Sequence, residues 1–556
     1  MFHRSLVTGL IFSAAAFAQL TSFPKPNYFR ETFQKPKTKV ELSDPIKLKD
    51  FVADGKLELS LKNYLALVMA NNTDVQLQLL TVEVPKNNIL GAYGVWDPSV
   101  RASFNTTRAT TTNNNPTAAL DSGIPVGSST KSLNQPYSLN YTQTLPVGTQ
   151  YTVGFTGVKT SSSPITANTY NPSLLTGNLQ VSFTQPLLRN RGAYVNKIPL
   201  MQAQVGYKMS QEQETQQLLT LVNTAETAYW NVIAAAANVK VAESGRTNAD
   251  EFLKYMQKQL DLGALSPLDI YNPQQSLAAA DLTLSQAKFS LAQAEDALRH
   301  QMGADLDPEV RRLPIVLTES VDLGPSESIA PDREQAIAKA LVRHPAVHQA
   351  LERLDFDDLG IQSAKNGLLP NLSFNASYTS YGRGGNFIDT APSNFNPSAP
   401  VSVIPGGIAD ALYQMFGFGS PTYVGGLTLN FPIRSRAASA TMANAVVQKK
   451  TDALNLRNQQ QAIRLNILNA VTRLEGAEEQ LKLARIQRDF AQKNLDAENT
   501  KFQLGTEINQ NVINAQQVLV QAESAVVTNQ IGVRLNLLNL LTQTGELLDE
   551  RGIVVK

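Results

Sequence analysis

Residues 218–263 read LLTLVNTAETAYWNVIAAAANVKVAESGRTNADEFLKYMQKQLDLG, and their spacing predicts a long helix that turns back on itself. Positions separated alternately by three and four residues from Leu218 to Leu260 are apolar, except at Arg246. This heptad spacing is typical of long helices that pack side by side. A helix from about residue 199 to 260 would be ~90 Å long at ~1.5 Å per residue. The pattern stops at Leu262-Gly263 and resumes in a shorter segment, which predicts a long antiparallel hairpin.

The same pattern occurs again 242 residues later (504 − 262 = 242). Adding this offset to the heptad positions gives a second, mainly apolar series from Gln460 to Phe502, in which Arg488 takes the place of Arg246 and Glu498 is also polar. Leu504-Gly505 repeats the turn. The equal spacing indicates two internal repeats, each with its own helical hairpin.

Both repeats also contain segments in which apolar and polar residues alternate, as in strands with two different faces. Four such segments precede the first hairpin, around residues 100–104, 137–141, 151–155 and 179–183; two precede the second, around 372–378 and 423–431. The alternation fits a transmembrane barrel and equally a soluble antiparallel sheet. Residues 382–420, rich in Gly, Pro, Asn and Ser, are predicted to form an outer loop.

The N-terminus has the three parts of a secretory signal peptide. His3-Arg4 is a short basic start, residues 6–17 are an apolar run, and Ala16-Phe17-Ala18 is a cleavage site. No later segment contains 18 consecutive apolar residues, so a membrane location would require a barrel. The secretion signal and the long helices favour the barrel over the soluble sheet.

The bulk composition excludes several classes of protein. Lys and Arg number 48 against 47 Asp and Glu, so the chain lacks the basic excess of a nucleic-acid-binding protein. The mean hydropathy of −0.18 excludes a polytopic helical membrane protein. The chain has no cysteine, so its stability must come from packing rather than disulfides.

Short motifs in a fixed order resemble the TolC-like outer membrane efflux protein family over nearly the whole mature chain. Along the chain they are residues 65–74 (LALVMANNTD), QPLL at 185–188 where strands pass into helix, Leu262-Gly263 followed by Leu268-Asp269-Ile270, and LVRHP at 341–345, the echo of the first motif in the second repeat. Each motif on its own is a weak signal. The resemblance depends on their order in the two repeats, with strands and long helices between them.

The resemblance implies an α+β membrane protein with two repeats per chain. Three chains would form one transmembrane barrel of 12 strands, four from each chain, continued by a long antiparallel α-helical periplasmic barrel. The implied partners are outer-membrane lipid, a periplasmic adaptor (membrane fusion) protein and an inner-membrane RND or ABC transporter. The implied role is an exit duct without catalysis. A secreted coiled-coil spacer or surface-layer protein is the alternative.

The sequence divides into six predicted regions. They are a signal peptide (1–18), a collar extension (19–56), repeat 1 (57–303, with strands at about 98–186 and a hairpin at 197–303), a collar segment (304–335), repeat 2 (336–545, with strands at about 370–432 and a hairpin at 437–545) and a tail (546–556).

Two groups of candidate site residues follow from the resemblance. Those predicted to contact an adaptor at the hairpin tips are Leu262, Gly263, Ala264, Leu504, Gly505 and Thr506. Those predicted to line a pore constriction are Asp269, Asn511, Asn514 and Glu507. Two plainer roles compete with these: the glycines would simply make the turns, and Asp269, in Ser266-Pro267-Leu268-Asp269, would cap a helix start.

The sequence predicts no cofactor, metal or catalytic residue. His344 and His348 lie one helical turn apart, but Pro345 favours a helix boundary at His344 and no third ligand is near. Ser, His and Asp residues form no recognisable catalytic set.

Overall fold

The computed structural model describes residues 46, 48–53, 55–112, 114, 126–163, 173–264, 266–304, 308, 311, 313–320, 331–389 and 402–554. The predicted signal peptide and most of the two predicted collar segments, 19–56 and 304–335, lie outside these residues. All elements below belong to the unit Lys47–Lys556.

Helices make up most of the described chain. They are α1 (Leu61–Asn71), α2 (Thr73–Tyr93), α3 (Ala193–Asn196), α4 (Ile198–Asp261), α5 (Tyr271–Gln301), α6 (Arg333–Arg343), α7 (Pro345–Gly367), α8 (Ile408–Phe416), α9 (Arg436–Gln503), α10 (Asn509–Thr544) and α11 (Leu547–Glu550). None of those described combines the length and apolar character needed to cross a bilayer.

The strands are β1 (Val52–Ala53), β2 (Lys56–Leu59), β3 (Ser99–Phe104), β4 (Thr107–Thr112), β5 (Ser129–Thr144), β6 (Gln150–Ser163), β7 (Ser173–Pro186), β8 (Ile315–Leu317), β9 (Asn371–Gly384), β10 (Phe387–Asp389), β11 (Ser402–Ile404) and β12 (Pro421–Asn430). They form a three-stranded sheet, a two-stranded sheet and one large antiparallel sheet.

The heptad pattern produces the two longest helices. α4 has 64 residues and α9 has 68, so each is roughly 100 Å long at ~1.5 Å per residue. α4 packs against α5, α9 against α10, and α10 also against α4, which gives a row of rods in the order α5–α4–α10–α9. Buried residues of α9 fall at the predicted heptad positions from Ile463 to Leu495, with Val471 as an addition and Arg488 exposed.

The large sheet has the order β12-β9-β7-β6-β5-β3, and β4 also pairs with β5. β3 and β4 lie along successive parts of β5, from Ser99↔Thr142 to Thr112↔Ser129, so together they fill one strand position. The sheet therefore has six strand positions, two more than the four strands per chain that the resemblance implied. The difference is the β5–β6 hairpin, which lies inside the sheet.

One face of this sheet is apolar and the other is polar, because directly opposed residues in antiparallel strands share a face. Across β3–β5–β6–β7–β9–β12 the apolar face contains the row Val100, Tyr141, Val153, Val181, Tyr378 and Tyr423. The polar face contains, on the first five of these strands, the row Ser99, Thr142, Thr152, Ser182 and Ser377.

Helix α8 lies on the apolar face of the sheet. Gly157, Gly177 and Gly382 are opposed in register across β6, β7 and β9, and a Cβ at Gly382 would overlap the carbonyl oxygen of Ala411. The Ser380 hydroxyl donates to the Met415 carbonyl oxygen at 2.7 Å. Part of the predicted outer loop 382–420 is therefore an ordered helix. Its apolar residues were not recognised in the sequence, because Gly- and Asn-rich segments surround them.

A small second layer covers the middle of α4. β2 pairs in parallel with β8 and antiparallel with β1, and this sheet shares a core with α4, α10 and α11. Inside it, the Glu226 carboxylate accepts two hydrogen bonds from the Arg551 guanidinium, at 2.6 and 2.8 Å, and one from the Trp230 indole at 3.2 Å. Described parts of the two predicted collar segments and of the predicted tail thus meet on one helix.

Candidate functional site at the helix tips

Each long hairpin ends in the same backbone turn. At the first tip the Gly263 and Ala264 N–H groups donate to the carbonyl oxygens of Leu260 and Gln259, both at 2.9 Å. Gly263 has φ +72°, a left-handed conformation that favours glycine. This pair of bonds is the Schellman arrangement that closes many helix C-termini.

The second tip repeats this geometry. The Gly505 and Thr506 N–H groups donate to the carbonyl oxygens of Phe502 and Lys501, at 3.0 and 3.1 Å, and Gly505 has φ +73°. The sequence prediction that the glycines make the turns is confirmed. The predicted contact of these residues with a partner stays a prediction.

The two turns expose apolar side chains at their outermost points. Leu262 is 79% exposed and Leu504 is 74% exposed; Ala264 and Thr506 are exposed as well. A largely exposed leucine at the same position of two equivalent turns contributes little to packing within the chain. Such residues are suited to burial against another protein.

Asp269 stabilises a turn that precedes α5. Its carboxylate accepts from the Ser266 N–H at 3.2 Å, and the Ser266 hydroxyl oxygen accepts from the Leu268 N–H at 3.3 Å. The helix itself begins at Tyr271. The expected hydrogen bonds are present, but the predicted helix start at Ser266 is wrong, because residues 267–270 form a separate turn.

The second acidic side chain near the tips is Glu507. Its carboxylate accepts from the Ile508 N–H at 3.2 Å and from the Asn511 side-chain amide. These two donors hold the pKa of Glu507 below its usual range. Glu507 is therefore an anion at neutral pH. Asn511 acts as its partner, whereas the exposed Asn514 accepts from Gln510 at 3.0 Å.

The tips of the two repeats are tied together inside the chain. The Asn509 amide donates to the Asp269 carbonyl oxygen at 3.0 Å, which joins the start of α10 to the turn before α5. Asp269 and Glu507 thus lie in neighbouring turns. Among the described residues, no group of His, Cys, Asp and Glu side chains is arranged to hold a metal.

An aromatic cluster that the sequence reasoning missed supports the tips from behind. The ring of Phe502 lies 5.6 Å from that of Phe252 and 6.2 Å from that of Tyr255, measured between centroids. These rings belong to a core with Met256 and Leu495. Phe502 is a heptad position, but Phe252 and Tyr255 are not, so the heptad pattern alone did not identify them.

Comparison with known proteins gives consistent matches. The family described as "Outer membrane efflux protein" matches residues 150–304 and 336–546, more than half of the chain. The chain is 20% identical over 348 residues to the probable efflux pump outer membrane protein TtgC of Pseudomonas putida and to the antibiotic efflux pump outer membrane protein ArpC of the same species. The aligned stretch covers 62% of this chain and 64% of each relative's length.

Solved structures share the fold. The outer membrane channel CmeC of Campylobacter jejuni superposes with a TM-score of 0.58 at 15% identity, over 92% of this chain and 91% of that one. The outer membrane protein VceC of Vibrio cholerae gives 0.58 at 11% identity, over 87% and 96%. CusC gives 0.59 at 13% identity, over 92% and 98%.

Proposed function

The chain belongs to the outer membrane efflux protein family, as its motifs predicted, and on this premise we propose that it is the outer-membrane channel subunit of a tripartite efflux or type I secretion system. It would provide an exit duct from the periplasm to the exterior. An inner-membrane RND or ABC transporter and a periplasmic adaptor would deliver the substrate, so this subunit would catalyse nothing.

The observation that carries the proposal is the pairing of a two-faced sheet with long rods in one chain. An apolar face and a polar face suit a wall between lipid and water. β7 leads into α4 through the short α3, and β12 is followed directly by α9. Rods of roughly 100 Å are far longer than a globular core requires, and they suit a conduit across the periplasm.

We propose that copies of the chain associate side by side as a homotrimer: the family resemblance supplies the number three, and the apolar side chains exposed at both ends of the rod row support the association. α5 exposes Leu282 and Phe289, seven residues apart, and α9 exposes Leu483 and Phe490 with the same spacing. Seven-residue spacing places side chains on one stripe of a packed helix. Burying the α5 stripe of one chain against the α9 stripe of the next would close the row into a tube.

The adaptor contact is expected at the tips, where Leu262 and Leu504 are most exposed. The test places a photo-crosslinking amino acid at Ala264 in living cells with an active pump. We expect capture of a periplasmic adaptor protein. The matched control is Lys450, an exposed residue of α9 about 80 Å from the tip along the helix, where no adaptor should be captured. Self-crosslinks alone at Ala264 would contradict the proposal and favour the structural spacer.

The acidic tip predicts a cation-selective channel. In the trimer, Asp269 and Glu507 would supply six carboxylates, and a ring of like charge concentrates counter-ions. The double variant Asp269→Asn, Glu507→Gln should lower the K⁺/Cl⁻ permeability ratio at pH 7 by at least about twofold. The ratio is measured from the reversal potential across a KCl gradient in planar bilayers.

The lowered pKa of Glu507 predicts how its own share of this selectivity depends on pH. Because Glu507 ionises below its ordinary pKa of about 4.3, its contribution should persist at pH 5 and disappear only on further acidification. Asn511→Leu removes one donor, so the loss should shift to higher pH. The control Glu550→Gln, an exposed carboxylate of α11, should leave the ratio unchanged; an equal drop in this control would refute a local tip effect.

A further inference from the structure

The β5–β6 hairpin is an integral part of the large sheet. β5 pairs with β3 and β4 on one side and with β6 on the other, and β6 pairs with β7 over twelve residues, from Gln150↔Thr184 to Ser161↔Ser173. β3 has no pairing with β7 among the described residues. Without the hairpin, the sheet of repeat 1 would lose its connection to β3.

The hairpin has the same two faces as its neighbours. Its apolar face contains Tyr137, Leu139, Tyr141, Val153 and Phe155, and its polar face contains Ser138, Asn140, Thr142, Thr152 and Thr156. The Phe155 ring also stacks with Phe416 of α8, with centroids 6.5 Å apart. In a membrane wall, this alternation turns the apolar side chains toward lipid and the polar ones toward water.

The hairpin turn is anchored where the sheet passes into the rods. The Gly192 N–H donates to the Val147 carbonyl oxygen at 3.2 Å, which fastens the turn beside the residues that lead from β7 to α4. Gly148, at φ +90°, leaves no room for a side chain, because a Cβ there would lie 2.5 Å from the Asn190 carbonyl oxygen. The hairpin turn therefore lies at the level where β7 ends and the chain passes into α4.

The two edges of the sheet fit a second copy of the chain. Every residue of β3, β4 and β12 is exposed. Neighbouring strands alternate in direction, so β3 and β12, at positions one and six, run antiparallel. Rotationally related copies can therefore join β12 of one chain to β3 and β4 of the next with ordinary antiparallel pairing, and this closure removes both exposed edges.

We infer that the trimer closes an 18-stranded barrel (3 × 6 = 18), in place of the 12-stranded barrel that the family resemblance implied. This inference rests on the proposed function, which supplies the trimer and the membrane. Because barrel diameter grows roughly linearly with strand number, the membrane duct is about 1.5 times as wide as one of 12 strands. The additional strands are β5 and β6 of each chain.

Cysteine labelling tests the inference cleanly, because the chain has no native cysteine. Leu139→Cys and Asn140→Cys probe the two faces of β5; Val181→Cys and Ser182→Cys probe the two faces of β7.

Purified trimers in liposomes are treated with a membrane-impermeant maleimide. We expect labelling of Asn140→Cys and Ser182→Cys, and protection of Leu139→Cys and Val181→Cys. If a β5 variant does not form trimers, Thr152→Cys and Val153→Cys on β6 replace the pair.

The outcomes separate the inference from the proposed function. Labelling of both β5 variants with Val181→Cys still protected would remove the hairpin from the membrane wall and overturn the inference alone. Labelling of Leu139→Cys and Val181→Cys together would overturn the proposed membrane sheet itself. Electron microscopy of the trimer provides a direct count, in which 18 strands are expected and 12 would overturn the inference.

Discussion

Replacing Arg551 with alanine is expected to lower the free energy of unfolding by about 3–5 kcal/mol, because it leaves a buried carboxylate without its counter-charge. The Glu226 side chain is 1% exposed and accepts both hydrogen bonds of the guanidinium. After the substitution, the Trp230 indole would still donate to it but would bring no positive charge. Chemical denaturation of the purified protein, followed by Trp230 fluorescence in a Trp96→Phe background, measures the loss.

Two further variants show whether the lost charge pair is the cause. Arg464→Ala breaks an exposed ion pair with Glu334, at 3.2 Å, and should cost less than about 1 kcal/mol. Combining Glu226→Leu with Arg551→Met removes both charges and should recover most of the stability. An Arg551→Ala loss no larger than that of Arg464→Ala would contradict the prediction.

Replacing Gly382 with valine is expected to displace α8 from the sheet. The new side chain would overlap the Ala411 backbone, which cannot move aside without moving the helix, and its Cβ would lie 3.1 Å from that of Met415. Overpacking typically costs about 1–3 kcal/mol, and about 1.4 kcal/mol already corresponds to a tenfold change in population. Crosslinking of Phe155→Cys to Phe416→Cys by a short bis-maleimide, added to this background, should therefore slow by roughly tenfold or more.

Gly425→Val is the matched control for α8 docking. Gly425 is a strand glycine on the same apolar face, opposite Ala376, and a Cβ there would meet nothing within 4 Å. In the Gly425→Val background the same crosslink should form at the parent rate. Equal slowing in the two valine variants would mean that glycine is needed for the strands themselves rather than for seating the helix.

The rods were predictable because heptad spacing is a local property of the sequence. Between Val239 and Met256 the buried residues of α4 are the predicted heptad positions, with Phe252 as the addition. Near the middle of α4, Leu219, Val222 and Tyr229 are buried as well. The small sheet covers them there, and the Tyr229 hydroxyl donates to the Leu59 carbonyl oxygen across 170 positions. No local pattern encodes such a contact.

The candidate site, too, was predictable only where a local feature of the sequence marked it. Turn glycines have a strict backbone requirement, so Gly263 and Gly505 marked both tips correctly. The bond between Glu507 and Asn511 could have been found from their four-residue spacing at a helix start. The Asn509 contact with Asp269 joins the two repeats across 240 positions and required the packed structure.

The distance along the chain between Glu226 and Arg551, 325 positions, imposes an order on synthesis and export. During export, Glu226 emerges from the translocation machinery long before its partner Arg551 does. Closing the core around the middle of α4 on an unpaired carboxylate is energetically costly, so we expect this core to reach its full stability only when residue 551 arrives. The last gain in stability therefore comes after the whole chain has been exported.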